Sequence, residues 1–397
     1  MTSPKIASTA LWQACSAASG AIFVPLVVGR CGLAEFGYVA LFQVLSSLQW
    51  PFFEVGLDQY GAMHLPRLAA EERRASYGSF WGLRLLAILM LGIPVIMGSF
   101  FFADGSLVRL LAPRLWCYGA LCSLYPAWFF TSTLHPERLT MGNALARGLT
   151  LLCYWISSDR TWLWAVDVQL LGGIVYAGYG LMRSSSTWKI SGHGLLCLFK
   201  ASWPHAWQQQ LSQNTPQLLF LQISALWGVS SLGLFSLADR ALRLALQIQQ
   251  PLLHTFLAWM AWRSSSVQPY HSTLLRRGVL WTASLSLGLA TGGPFLLHWI
   301  SQASLVDCLW PCLAVCLVPS LEAYAQFWGL CGQGASWLFK RQLIGLIFGG
   351  IWIYGSHLLG ACAAWALVGY TLTATLNCLL SLLKKREQAM APKISRS

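Results

Sequence analysis

Leu139-Thr-Met-Gly-Asn-Ala-Leu-Ala-Arg147-Gly-Leu-Thr-Leu-Leu-Cys-Tyr-Trp-Ile156 decides how this chain folds. The run is about as long as a bilayer crossing, for which a helix needs roughly 20 mostly apolar residues. Its one charge is the guanidinium of Arg147. A charge at membrane depth costs at least about 2.5–3.5 kcal/mol on insertion scales, so such groups face a bundle interior or a watery cavity. Arginine keeps its proton inside proteins and cannot escape that cost by neutralising. Arg84, Arg240 and Arg243 lie in two further runs of the same kind. A membrane protein that holds four arginines this way has a place for something anionic.

Outward from this run, similar stretches recur along all 397 residues. Hydrophobic residues make up 56% of the chain and charged residues only 10%, against roughly one in four in a soluble protein. Mean hydropathy is +0.56. We expect an all-α polytopic membrane protein of about twelve transmembrane helices and no sizeable soluble domain. The 21 Trp and 12 Tyr suit anchoring at the two membrane interfaces. The first helix reads as retained, because no small-residue cleavage site follows a short apolar core.

The first six spans are expected at Ala7–Val28, Phe36–Gly56, Phe80–Phe102, Leu115–Phe130, Leu139–Ile156 and Trp162–Leu181. A polar stretch, Asp58–Ser76, separates the second from the third. The other six are Trp203–Trp227, Leu232–Trp259, Val279–Ile300, Leu305–Leu330, Leu338–His357 and Leu359–Leu383. The polar linker Arg183–Ser202 divides the chain almost in half. It gives an N-terminal six-helix lobe (1–182), a cytoplasmic linker (183–202), a C-terminal six-helix lobe (203–383) and a basic tail (384–397). Paired halves with the substrate path between them are a common transporter plan. Gly32–Tyr38 and Gly228–Leu234, after the first and seventh spans, each place two glycines five residues apart.

Loop charge sets the expected orientation. With both termini cytoplasmic, the inside segments hold Lys5, the arginines between Arg67 and Arg74, Arg138, the basic residues of Arg183–Lys200 and of Arg263–Arg277, Lys340, Arg341 and the tail. The outside loops hold only Arg30, Arg109, Arg114 and Arg160. This asymmetry is the positive-inside pattern. The net charge of +13 therefore belongs to membrane topology, and a nucleic-acid partner is excluded.

Four short segments carry a family resemblance. Pro25-Leu-Val-Val-Gly-Arg30-Cys-Gly32-Leu-Ala-Glu-Phe36-Gly37-Tyr38 resembles the first hairpin of the Wzx-type polysaccharide (O-antigen) flippases, in the multidrug/oligosaccharidyl-lipid/polysaccharide exporter superfamily. There a Pro-Leu helix end is followed by Arg-x-Leu-Gly-x-x-x-Phe-Gly; here Cys31 replaces the Leu. Gly56-Leu57 matches the end of the family's second helix. Tyr125-Pro126-Ala-Trp128-Phe129-Phe130 resembles its Pro-x-Trp-aromatic motif, with Thr131-Ser132 where Gln-Gly often follows. Leu232-Gly233-Leu-Phe235-Ser236-Leu-Ala238-Asp239-Arg240 resembles its eighth-span motif, with Phe235 for Tyr.

The resemblance implies twelve helices in two lobes around a central cavity. It also implies flipping of a polyprenyl-pyrophosphate-linked oligosaccharide from the cytoplasmic to the periplasmic leaflet of a bacterial inner membrane. The protein would act as a monomer, near a polymerase of the same pathway. An exporter of organic cations from the same superfamily is the alternative, with membrane acids dominating its cavity. An O-antigen-type polymerase is the enzymatic rival, but the chain lacks the large external loop expected of one. No P-loop and no nucleophile–base arrangement marks it as an enzyme, and no cofactor is expected.

The expected cavity residues are Arg240 and Arg243, three apart on one helical face, with Arg84 and Arg147. A guanidinium stays charged and its fork matches phosphate oxygens. The competing reading pairs these arginines with membrane acids to lock helices, Asp239 being spaced for Arg243. Arg84 and Arg147 are placed a turn or two from their helix ends, where snorkelling is cheap. Gln209, Gln213 and Asn214, in the amide-rich opening of the seventh span, suit sugar hydroxyls or interhelical bonds. Glu54, Asp167, Asp239 and Glu322 are candidates for proton or sodium coupling. Cys308, Cys312 and Cys316 share a helical stripe; small apolar packing outweighs a soft-metal site, and no metal is expected.

Overall fold

The computed structural model describes residues 3–99, 106–133, 135–159, 161–184, 194–233 and 335–358, with 192, 235–237, 239, 240, 291, 294, 295, 298 and 376. No strand occurs among them. The chain divides into two compact units, 1–217 and 218–397.

The first unit is a bundle. Helix α1 (Ser3–Cys31) turns at Gly32 into α2 (Leu33–Glu54). Val55 and Gly56 are both left-handed and form an elbow into the short α3 (Leu57–His64). A 3-10 turn (Leu65–Arg67) leads to α4 (Ala70–Ser99), whose Glu71 and Glu72 favour the positive helix start. Then come α5 (Leu107–Ser123), the one-turn α6 (Ala127–Ser132), α7 (Pro136–Ile156) and α8 (Trp162–Arg183). α9 (Leu195–Trp227) follows, and the division at Gln217/Leu218 falls inside it. α1 lies along α7, α7 along α8, and α5 against α8, α2 and α4.

Four of these stretches are long and apolar enough to cross a membrane: Leu11–Cys31, Ala70–Pro94, Leu107–Ser132 and Trp162–Arg183. Leu11, Ile22, Leu89, Met90, Trp155 and Ile156 point outward. Such a surface suits acyl chains and not water. The core beneath is aromatic: Trp128 is sealed among Tyr77, Phe80 and Trp81.

Several boundaries differ from expectation, each for a physical reason. The fourth span starts eight residues early, because Ser106 caps α5 by accepting from the Arg109 N–H at 3.3 Å. Arg109 and Arg114 are thus helical, not in an outside loop. Asp58 is not in a polar connection but on α3, folded back against the bundle. Arg84 and Arg147 are not near helix ends: α4 begins at Ala70 and α7 runs Pro136–Ile156, so both lie mid-helix. α9 begins inside the expected linker, because Leu195, Leu198, Phe199 and Trp203 pack on the aromatic core of the first unit.

Within the second unit, α10 (Ala335–Leu358) occupies the expected eleventh span. Gln222 of α9 donates to the Gly350 carbonyl at 3.0 Å, and Trp227 meets His357 edge-on. The eighth span is described only in part. Most of the ninth and twelfth, and all of the tenth, lie outside the described residues.

Candidate functional site

The arginines of the first unit divide into paired and unpaired. Arg84 is fully buried and reaches Asp58 of α3 at 2.7 Å. Its other arm donates to the Tyr125 carbonyl at 2.8 Å. The same Asp58 oxygen accepts the Trp128 N–H at 3.0 Å. The elbow at Val55–Gly56 makes this possible by turning α3 back against α4 and α6. Arg84 therefore ties α3, α4 and the Tyr125–Trp128 turn together. With no exposed surface it does not line an open space, contrary to the expectation for it.

Arg114 of α5 pairs with Asp167 of α8 through two bonds of 2.7 and 3.4 Å, and also donates to the Leu110 carbonyl. Asp167, an expected coupling acid, is thus held by a guanidinium that sequence reasoning placed in a loop. The polar Ser106 ahead of an apolar run was the signal for the helix that carries it.

Arg147 is different. It projects from the middle of α7 toward α1, where the Ser16 carbonyl lies 3.5 Å away, at the limit of a hydrogen bond. Gly20 leaves room for it: a side chain there would begin 3.5 Å from the guanidinium. Its remaining electrostatic neighbours are the phenols of Tyr118 on α5 and Tyr176 on α8. Among the described residues no carboxylate lies within ion-pair distance of Arg147. The Ser16 hydroxyl beside it is buried without a partner. A permanent cation, a spare hydroxyl and two phenols thus meet inside the bundle of α1, α5, α7 and α8. Together they offer a fixed positive charge and several donors to an anion, with no carboxylate there for a cation among the described residues.

An amide seam runs nearby. Gln43 donates to Gln169 at 2.7 Å, and Gln49 to the Leu115 carbonyl. Asn214 is buried and donates to the Ser47 carbonyl at 2.8 Å and to Gln210 at 2.9 Å. Asn214 thus fastens α9 to α2, the interhelical bond expected as its alternative role. Gln209 and Gln213 lie on α9, and their side chains are outside the described set.

Glu54 closes α2. It is 1% exposed, accepts from the Trp50 indole and leaves Oε2 buried without a partner. In the second unit Asp239 is buried and Arg240 half-buried, and each is engaged. Arg243, Glu322 and the stripe of Cys308, Cys312 and Cys316 lie outside the described residues. No cluster of three His, Cys, Asp or Glu fit for a metal occurs among the described residues.

Arg30, the motif arginine of the first hairpin, has a structural task. It ends α1 and caps α7, donating to the carbonyls of Tyr154 (2.5 Å), Trp155 (2.7 Å) and Ser157 (2.9 Å). It also lies 5.2 Å over the Tyr154 ring. The last carbonyls of a helix have no partner within it, and one guanidinium satisfies three here.

No protein-family model matches the chain, and no curated protein matches it either. Solved structures do. The chain is similar to the lipid II flippase MurJ in an inward closed conformation, at 14% identity and TM-score 0.74, over 95% of this chain and 87% of that one. It is similar to a MATE protein in complex with MaL6, at 13% identity and TM-score 0.66, over 98% and 96%. It is also similar to the MATE multidrug transporter DinF-BH, at 14% identity and TM-score 0.65, over the same shares. The fold is thus the all-α, multi-pass membrane fold of these transporters.

Proposed function

We propose that the chain is a carrier, not an enzyme: a Wzx-type flippase of a bacterial inner membrane. It moves a polyprenyl-pyrophosphate-linked oligosaccharide from the cytoplasmic to the periplasmic leaflet by alternation of two six-helix lobes, for cell-surface polysaccharide synthesis. Arg147 carries this reading. A guanidinium at mid-helix with no carboxylate beside it among the described residues is costly in a membrane, and a diphosphate passing through the bundle would offset that cost by charge-assisted hydrogen bonds. The fold shared with a lipid II flippase supports the same direction.

Export of organic cations is the second reading, because the fold is equally that of MATE transporters. A cation carrier needs free carboxylates. In the first unit Asp58 and Asp167 are both spent on arginines, while Glu54 keeps a buried oxygen without a partner; the anionic substrate is favoured by Arg147 and not by a lack of acids. A leaflet-accessibility assay with labelled lipid-linked glycan in proteoliposomes tests the proposal. Neutralising Arg240 and Arg243 together is expected to abolish translocation at unchanged expression. Full transport by that double variant rejects their role.

A further inference from the structure

Trp203, Trp207, Gln210, Asn214 and Gln217 recur at alternating steps of four and three along α9. That spacing sets the five side chains on one stripe of the helix. All of them lie in the first unit. At its start the stripe meets the end of α2: the Phe52 ring lies 6.2 Å from that of Trp203 and 5.5 Å from that of Trp207, edge-on to the latter. Trp203 also stands edge-on to Trp207 at 6.0 Å and stacks on Phe199 at 5.2 Å. Further along, Asn214 donates to the Gln210 oxygen and to the Ser47 carbonyl, which pins the stripe to α2.

Two groups on the stripe are not used up by this packing. Trp207 touches its neighbours edge-on and stays 40% exposed. Gln217 is 7% exposed, and its carbonyl oxygen is buried with no donor among the described residues. A stripe facing acyl chains would be aliphatic, because an unbonded amide is costly in hydrocarbon. A stripe that only joined helices would satisfy every amide, because an unmet buried acceptor keeps its full desolvation cost. An open indole and a waiting acceptor on one line suit a ligand with an apolar face and hydroxyl donors. A pyranose has both. Its C–H face lies on the negative face of an aromatic ring, and its hydroxyls donate to an amide oxygen. From Trp207 to Gln217 the helix rises about 15 Å, longer than one sugar ring and suited to a short chain of them.

We propose that this stripe is a glycan-binding track, with Trp207 as its stacking platform and the Gln217 carbonyl as a hydroxyl acceptor. Phe52 and Trp203 are positioning residues that hold the indole, while Gln210 and Asn214 hold the track against α2. This role rests on the flippase reading and deepens it: the oligosaccharide, and not only its diphosphate, is gripped by the protein. Stacking tolerates many hydroxyl patterns, so the track reads the length of the glycan more than the identity of its sugars.

Photolabelling of the full-length protein in lipid vesicles tests this. One arm uses diazirine-bearing pentamers of a hexose and of an N-acetylhexosamine; the other uses a diazirine-bearing phospholipid. The pentamers are expected to label residues 203–217, and the phospholipid to label Trp155, 63% exposed on α7. Phospholipid label on Trp207 without pentamer label makes that indole a membrane anchor and overturns the proposal, as does any wild-type result without pentamer label on 203–217. Flipping in proteoliposomes is then compared for polyprenyl pyrophosphates carrying one sugar and carrying five. Trp207→Ala is expected to lower the five-to-one rate ratio about three- to tenfold, and Trp207→Phe to recover most of it. A ratio unchanged in Trp207→Ala overturns the proposal. Wild-type protein that flips neither substrate, while the pentamers still label 203–217, refutes the flippase reading and leaves the glycan track standing.

Discussion

Arg84 reaches Asp58 at 2.7 Å with its guanidinium sealed from solvent, across 26 residues of chain and a helical elbow. Breaking one side of a buried ion pair costs about 3–5 kcal/mol, whereas replacing both sides by apolar groups of similar size is often neutral. Arg84→Met is therefore expected to lower stability by that amount, since Asp58 loses its cation and the Tyr125 carbonyl its donor. Arg84→Met combined with Asp58→Leu is expected to recover much of the loss. Thermal unfolding in detergent measures both; an Arg84→Met protein as stable as the wild type contradicts the account.

Gly56 and Gly32 separate strain from space. Both have positive φ, +69° and +86°; Gly56 is left-handed, which costs an L-residue about 1–2 kcal/mol, and Gly32, with ψ 162°, lies in a region almost exclusive to glycine, at about 1–3 kcal/mol. Around Gly32 nothing lies within 4 Å of a new Cβ, whereas at Gly56 the Ser202 carbonyl oxygen would be 2.4 Å away and the Ala206 nitrogen 2.5 Å. Gly32→Ala is expected to cost only the strain. Gly56→Ala adds a clash with the α9 backbone and is expected to reduce folded yield and melting temperature much further. Equal effects would mean that α9 does not press on the elbow.

Arg30 predicts a non-conservative outcome for a conservative change. Lysine is a point charge without the planar fork, so it cannot serve three carbonyls and stack on Tyr154 together. Hydrogen bonds from a charged group contribute about 1.5–3 kcal/mol. Arg30→Lys is expected to lose at least one such bond, seen as faster amide exchange in the last turn of α7. Unchanged protection there contradicts the capping role.

The membrane class and the twelve-span plan were legible because span length and hydropathy are dictated by the bilayer itself. The pairing of charges was not. Arg84 and Arg147 look alike in sequence, each a lone basic residue in an apolar run. What separates them is Asp58, which hydropathy assigns to a connection because α3 is short and polar. Arg114 was hidden in the same way, by an α5 that begins before its most apolar stretch. Distances between helices decide which guanidinium is neutralised, and no spacing within one helix encodes them. Arg30 was legible as a motif residue, but its task as a cap for α7 depends on a helix more than a hundred residues later.

The anionic-substrate reading stands most directly on Arg147. Flipping of labelled lipid-linked glycan in proteoliposomes should be compared between the wild type and Arg147→Gln, with folding followed in parallel. Because Arg147 has no ion-pair partner among the described residues, the variant is expected to fold as well as the wild type. Its translocation is expected to fall by more than about tenfold, equivalent to about 1.4 kcal/mol of lost substrate interaction. Wild-type flipping by Arg147→Gln would contradict the central claim.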